Sequence, residues 1–333
     1  VYTRSFATRT GPDPLAVDEA AAVLAAAERP VIYAGQGVHY AEAWDELRAL
    51  AETWQIPVTT SLEGKSAFPE THALSLGSGG RANPRPVKTY LAEADVILGI
   101  GCSFALTGFG VPMPRGKTII HATLDPMDLN KDIEVQHALI GDAKLSLQAL
   151  SDSMADRDRT QADNREGVLA ARIAKIKEEW LAEWEAKRTN NEAPINPYRV
   201  LKELHDAVDI DNTIITHDAG SPRDQLSPFW EATTPLSYIG WGKTTQLGYG
   251  LGLAMGAKLA HPDKTCINVW GDAAIGFTGM DFETAARERI PILSVLMNNF
   301  SMAIEIPIMQ VAQEKYGSTD ISGHYADMAK SFG

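Results

Sequence analysis

The chain has 333 residues, long enough for two domains of typical size, and its 44% hydrophobic content is ordinary for a globular protein. A formal net charge of -13 argues against a nucleic-acid partner, whose phosphates need a basic surface. No apolar run approaches membrane-spanning length, so a soluble acidic enzyme is the default expectation. Cys102 and Cys266 both lie in apolar, strand-like runs and read as buried thiols, which suits a reducing cytoplasm. No charged-then-apolar leader follows Val1, so no targeting segment can be read.

In chain order, Asp13-Pro14 is an N-cap with proline at the first helical position, opening an Ala-rich helix from Leu15 to Glu28. Arg29-Pro30 breaks it, and Val31 to Ala34 is a buried strand running into Gly35-Gln36-Gly37. The apolar spacing of Trp44, Leu47, Leu50, Ala51 and Trp54 predicts a helix over Ala41 to Trp54. Strands follow at Pro57 to Ser61, Val96 to Ile100, Thr118 to His121 and Ala138 to Ile140, with helices near Val87 to Ala94 and Ala143 to Ser153. Repeated βα units with apolar strands predict a parallel, doubly wound sheet with helices on both faces. The Gly-x-Gly turns at Gly35 and Gly99 invite a dinucleotide reading. Tyr40 and Phe104 stand where the third glycine belongs, and no acidic residue lies at the required distance, so tight turns are the better account.

Residues 151–166 are polar and short of aliphatics, as a linker would be. The next helix, Leu169 to Lys187, carries Leu169, Ile173, Ile176, Trp180 and Trp184 on one stripe, suited to docking one domain on another. After a second break, Pro197 opens a helix over Tyr198 to Val208. Strand Thr213 to Thr216 ends at His217-Asp218-Ala219-Gly220-Ser221, where His217 reads as a packed histidine rather than a catalyst. The glycine- and alanine-rich run Gly242 to Lys258 predicts a loop and a closely packed helix.

Strand Cys266 to Trp270 meets Gly271-Asp272, and strand Ile292 to Met297 meets Asn298-Asn299, with a helix from Met280 to Arg289 between them. In parallel sheets ligands sit at the carboxyl ends of strands, so Asp272 and Asn299 are expected to converge on one crevice. A carboxylate and an amide oxygen are hard donors suited to Mg²⁺. The small-residue loop Gly271 to Gly276, including Ala273 and Ala274, lets backbone N–H groups approach an anion. A diphosphate clamped by a divalent ion answers that description; by spacing alone, so does an ordinary βα turn with a capping Asp.

Gly-Asp followed by Asn-Asn at this separation resembles the signature of the thiamine diphosphate enzymes, the group of acetolactate synthase, pyruvate decarboxylase, benzoylformate decarboxylase and oxalyl-CoA decarboxylase. The segments RPVIYAGQGV, IPVTTSLEGKSAFPE, ADVILGIG and IGDAKLSLQAL resemble the central domain of the same group. The resemblance implies two Rossmann-like three-layer domains: a central domain over 1–160, a linker and docking helix over 161–195, and an incomplete diphosphate-binding domain over 196–333. The family's N-terminal pyrimidine-binding domain, which supplies an activating Glu from a neighbouring subunit, is expected to be missing, so the segment alone is expected to be inactive.

By the same resemblance Asp272, Asn299 and the backbone oxygen of Ser301 would bind Mg²⁺, and Gly220, Ser221, Gly271, Ala273 and Ala274 would line the diphosphate. Leu247 would hold the cofactor bent, with the carbonyl of Thr245 on its aminopyrimidine. Thr245 and Ala273 replace glycines of the family pattern. In some members the central domain holds FAD or ADP. The substrate would be a 2-oxo acid, and the assembly a homodimer or homotetramer with the active site at the subunit interface. The run Gly276-Phe277-Thr278-Gly279-Met280 resembles the CoA lyases, whereas Ile304-Glu305 falls where pyruvate-decarboxylase-like enzymes keep a carboxylate near the substrate, making Glu305 a candidate proton-handling residue. A nicotinamide dehydrogenase and a non-catalytic regulatory paralogue remain as readings from other classes.

Overall fold

The computed structural model describes residues 8–241 and 246–333. Two parallel sheets organise the chain. The first contains β1 (Val31–Ala34), β2 (Val58–Thr60), β3 (Ser75–Ser78), β4 (Val96–Ile100), β5 (Thr118–Thr123) and β6 (His137–Ile140), in the order β3-β2-β1-β4-β5-β6. β1 and β4 are buried along their whole length, the pattern of strands covered by helices on both faces. The second sheet has the order β10-β9-β7-β8, with β7 (Thr213–His217), β8 (Tyr238–Ile239), β9 (Thr265–Gly271) and β10 (Leu293–Met297) all parallel. An α/β architecture of two doubly wound parallel-sheet units follows, as the repeated βα pattern predicts.

The helices of the first unit begin where their caps dictate. Asp13 accepts from the amides of Leu15 and Ala16 at 2.8 and 3.3 Å to start α1 (Pro14–Ala26), and Asp142 does the same for α5 (Ala143–Met154). A separate short turn of helix, α2 (Gly37–Tyr40), comes first, and the helix expected from Ala41 to Trp54 begins only at Trp44, as α3 (Trp44–Trp54). Glu42 between them has φ of 52°, a left-handed conformation that no helix continues through. α4 (Arg85–Glu93) starts two residues ahead of its expected position.

The Gly-x-Gly turns after β1 and β4 pack on each other. A Cβ on Gly35 would lie 2.3 Å from the Gly101 carbonyl oxygen, and one on Gly37 2.7 Å from the Gly101 Cα. Gly101 itself has φ of 61°. These glycines allow backbone to meet backbone, which accounts for them without a dinucleotide.

The polar stretch expected as a linker carries α6 (Thr160–Arg165). Arg165 explains why it is ordered. Its guanidinium donates to the carbonyls of Ala27 and Glu28 past the end of α1, and of Trp54 and Gln55 at the end of α3, filling acceptors those helix ends leave over. α7 (Val168–Thr189) buries Leu169 and Ile173 in the first core. Further along, Trp180 stacks on Phe229 at 4.9 Å, and Trp184 meets both Phe229 and Tyr198.

In the second unit, α8 (Pro197–Ala207) and α9 (Ser221–Leu226) cover one face of the sheet. Ile215, Ile267 and Val269 pack there against Leu201, Leu226 and Trp230. On the other face Trp270 is fully buried against Leu251, Met255 and Ile275, its indole N–H donating to Ser294 Oγ at 2.9 Å. α10 (Tyr249–Ala260) rests directly on β7 and β9. Gly250 permits this, since a Cβ there would lie 2.4 Å from Asn268 Oδ1. The run from Asp272, expected to be a loop, is α11 (Asp272–Thr278), followed by α12 (Asp281–Arg287). Past β10 come α13 (Gln310–Tyr316) and α14 (Tyr325–Lys330). β10 is the edge of the sheet, and Leu293 at its start is 44% exposed. Among the described residues no helix is long and apolar enough to cross a membrane.

Candidate functional site

β9 and β10 run in register, Met297 opposite Gly271, so their tips end level. Asp272, the first residue of α11, is buried. Its Oδ1 accepts from the Ala273 amide at 2.9 Å and its Oδ2 from the Ser301 amide at 3.1 Å. The same Ser301 N–H lies 3.1 Å from Asn299 Oδ1. One backbone donor is therefore shared by the carboxylate of one strand tip and the amide oxygen of the next, which brings the two oxygens to one place. The segment after Asn299 is fixed by an antiparallel bridge between Ser301 and Asp320, with Met302 donating to the Thr319 carbonyl at 2.8 Å.

Beside this pair stands the tip of β7. Gly220 has φ of 86°, strained for any residue with a Cβ, and a Cβ there would meet nothing within 4 Å, so its backbone borders open space. Ser221 opens α9, and Pro222 reaches within 3.8 Å of the point where a Cβ on Gly271 would stand. The tips of β7, β9 and β10 thus surround one crevice.

A further residue organises it. Asp218 is fully buried and accepts from the amides of Ala219 and Gly248 at 2.9 Å and of Gly250 at 3.1 Å. Burial raises its pKa, and the three amides pull against that rise. From the opposite side Thr278 Oγ1 donates to the Gly248 carbonyl at 2.7 Å. Gly248, with φ of 92°, is held between them, and the half-buried Leu247 directly precedes it. Thr245 lies outside the described residues. Asp218 escapes notice in the sequence because its partners are backbone amides, which leave no pattern of side chains.

The remaining candidates are dispersed. Ala273 is partly exposed next to Asp272, while the Ala274 side chain packs into the core with Leu251 and Trp270. Glu305 ends a 3-10 turn, and its carboxylate makes no hydrogen bond or ion pair among the described residues. His217 is fully buried, with Nδ1 3.1 Å from the Asp218 carbonyl and 3.2 Å from Tyr249 Oη. Burial depresses its pKa to about 4, so the ring is neutral near pH 7.

Among the described residues no three His, Cys, Asp or Glu side chains gather as a metal cage. An ion at the strand tips would have one carboxylate and one amide oxygen and would need phosphate or water oxygens to complete its shell, the manner of Mg²⁺. The donor set and the open backbone at Gly220 fit a magnesium diphosphate.

A second cleft of about 470 Å³ opens at the carboxyl ends of β1, β4 and β5. Tyr33, Phe104 and Phe109 form much of its wall, with the carboxylates of Glu63, Asp125, Asp128 and Asp142 around it, and no described Lys or Arg lines it. Arg9 and Lys131 pair with Asp142 and Asp128 from outside, at 3.8 and 3.9 Å.

Comparison with known proteins places the chain in a family. The family model of the thiamine pyrophosphate enzyme central domain matches residues 17–150, and that of the thiamine pyrophosphate enzyme C-terminal TPP binding domain matches residues 218–333. The chain belongs to the thiamine pyrophosphate enzyme family. Within it, the chain is 31% identical over 98% of its length to a probable acetolactate synthase large subunit of Methanocaldococcus jannaschii, covering 56% of that protein. It is 30% identical to the corresponding protein of Methanococcus aeolicus, over 87% of this chain and 50% of the relative. It is also 30% identical to the acetolactate synthase large subunit of Parasynechococcus marenigrum, over 96% and 51%. The chain spans about half the length of these relatives.

Proposed function

We propose that this chain forms part of a thiamine diphosphate- and Mg²⁺-dependent lyase or carboligase acting on a small 2-oxo acid, on the acetolactate synthase side of the family. The observation that carries the reading is the Ser301 amide shared by Asp272 and Asn299. The likeness to large subunits of acetolactate synthase supports the substrate class, and a homodimer or homotetramer with the site at the subunit interface is proposed with it.

When bound, thiamine diphosphate supplies the electron sink for breaking or making the bond beside a ketone. The chain's own residues would bind and orient it. Asp272, Asn299 and the backbone oxygen of Ser301 would hold the ion, and Gly220, Ser221 and Gly271 would border the diphosphate. Leu247 would support the bend, held in place because Asp218 and Thr278 fix Gly248 behind it. Such fixed backbone would hold the bound cofactor in one orientation, the condition for an advantage of proximity. No step is assigned to FAD or ADP in the central cleft.

Asp272→Ala in the full-length protein is expected to abolish Mg²⁺-dependent thiamine diphosphate binding by calorimetry, with Asp281→Ala, an exposed position on α12, as the control. Unchanged affinity in Asp272→Ala would refute the assignment.

A further inference from the structure

Arg223, on α9, has no exposed surface. Its Nε donates to Asp224 Oδ1 at 2.8 Å, and its guanidinium carbon lies 4.6 Å from the centre of the Phe109 ring. Nη1 and Nη2 have no hydrogen-bond partner. Two other buried groups share that condition: His217 Nε2 at the β7 tip and Tyr238 Oη on β8, whose rings lie 5.3 Å apart. Arg223 is near enough to both for its charge to lower the pKa of each.

Buried polar groups in folded proteins are almost always satisfied, and leaving both Nη groups of a buried guanidinium without acceptors is costly even where Nε is paired, as it is here with Asp224. Arg223 on α9 and Tyr238 on β8 bring unsatisfied N–H and O–H donors to one neighbourhood, with the neutral His217 ring packed beside the Tyr238 ring, and the partner that answers those donors is negative and rich in acceptors. A carboxylate matches a guanidinium edge through two parallel N–H···O bonds. The position suits a substrate. Pro222, next to Arg223, packs beside Gly271 at the strand-tip crevice, while Phe109, across the guanidinium, belongs to the wall of the central cleft.

We propose that Arg223, with Tyr238, forms a carboxylate-binding subsite between the two units, and that it receives the carboxylate of the small 2-oxo acid. The choice of ligand rests on the thiamine-enzyme reading above; the site itself rests on the unpartnered groups.

Thermal unfolding of the 333-residue chain in pyruvate, acetate and inorganic phosphate at constant ionic strength tests this. Pyruvate and acetate are expected to raise the melting temperature of the parent chain with concentration. Arg223→Met loses that shift; Arg223→Lys, which keeps the ion pair with Asp224, separates loss of the site from loss of the fold. Arg223→Lys, which keeps the charge but not the fork, retains the shift with at least about tenfold weaker apparent affinity, and Tyr238→Phe weakens it. A pyruvate shift undiminished in Arg223→Met, protection by phosphate but not by carboxylates, or no protection by any anion would overturn the proposal. Thiamine diphosphate affinity of full-length Arg223→Lys should equal that of the parent, so a failed carboxylate site leaves the cofactor reading standing, and a failed Asp272→Ala test leaves the seam site standing.

Discussion

His217 and Asp218 occupy consecutive positions at the tip of β7, both without solvent exposure, and burial acts on them in opposite senses. For the imidazole, desolvation disfavours the charged form and brings the folded-state pKa to about 4 from 6.5. The folded chain keeps His217 neutral over a range where the unfolded chain protonates it. Its contribution to stability is therefore present above pH 6.5 and is lost as pH falls to about 4, by about 3 kcal/mol if the whole shift is realised. Asp218, with a raised pKa, contributes the other way, favouring the fold at low pH and less as its carboxyl ionises. Urea midpoints of the parent chain are expected to fall between pH 6.5 and 4, and His217→Asn should flatten that part of the profile; equal slopes for the two would show that the ring is not held neutral. At this scale the convergence of Asp272 and Asn299 was legible, because both sit where predicted strands end. Arg223 was not. Its helix carries a proline and an acid in the first turn, a readable start signal, but nothing local says that its side chain will end between two folded units.

Elements were legible in proportion to how much of their pattern is their own. α1, α7 and α8 have caps, apolar stripes or both, β1 and β4 are continuous runs without a polar residue other than the Tyr33 hydroxyl, and β9 is apolar apart from Thr265 and Asn268. β3, reading SLGS, and the two-residue β8 have no periodicity to detect, and they exist because a neighbouring strand offers hydrogen bonds. α11 was hidden by its composition: Ala, Ala and Gly read as a loop, yet Ala274 and Ile275 are drawn into helix by the core beneath them. The paired glycine turns show the same dependence. Gly101→Ala should cost about 2–4 kcal/mol in chemical denaturation, because a Cβ at 2.8 Å from Gly37 backbone meets atoms that cannot rotate away, at a φ that already disfavours it. A loss of less than about 0.5 kcal/mol, the level of an ordinary surface change, would mean that the turns separate easily.

Across the whole molecule the two units share a polar contact as well as the aromatic one around Phe229. Lys65 and Glu70, both buried in the first unit, form an ion pair. Glu70 accepts from the Ala232 amide of the second unit at 2.9 Å, and its own amide donates to the Ala232 carbonyl at 2.9 Å. Lys177 of α7 donates to the Glu70 carbonyl at 2.9 Å. A carboxylate so placed fixes the orientation of the units more than it stabilises either, since buried pairs repay little beyond their desolvation. None of this was legible in the sequence, where residues 70 and 232 give no sign that they meet.

The outer flank of β10 is another matter. Among the described residues β10 pairs with β9 on one side only, and Leu293 adds apolar surface at its start. Such a flank templates the addition of an extended segment that reaches it, so these 333 residues taken by themselves are expected to self-associate as their concentration rises, with sedimentation velocity showing species larger than a monomer. Leu293→Lys should restore a monomer by placing charge along the zipper line; association unchanged by that substitution would locate the sticky surface elsewhere.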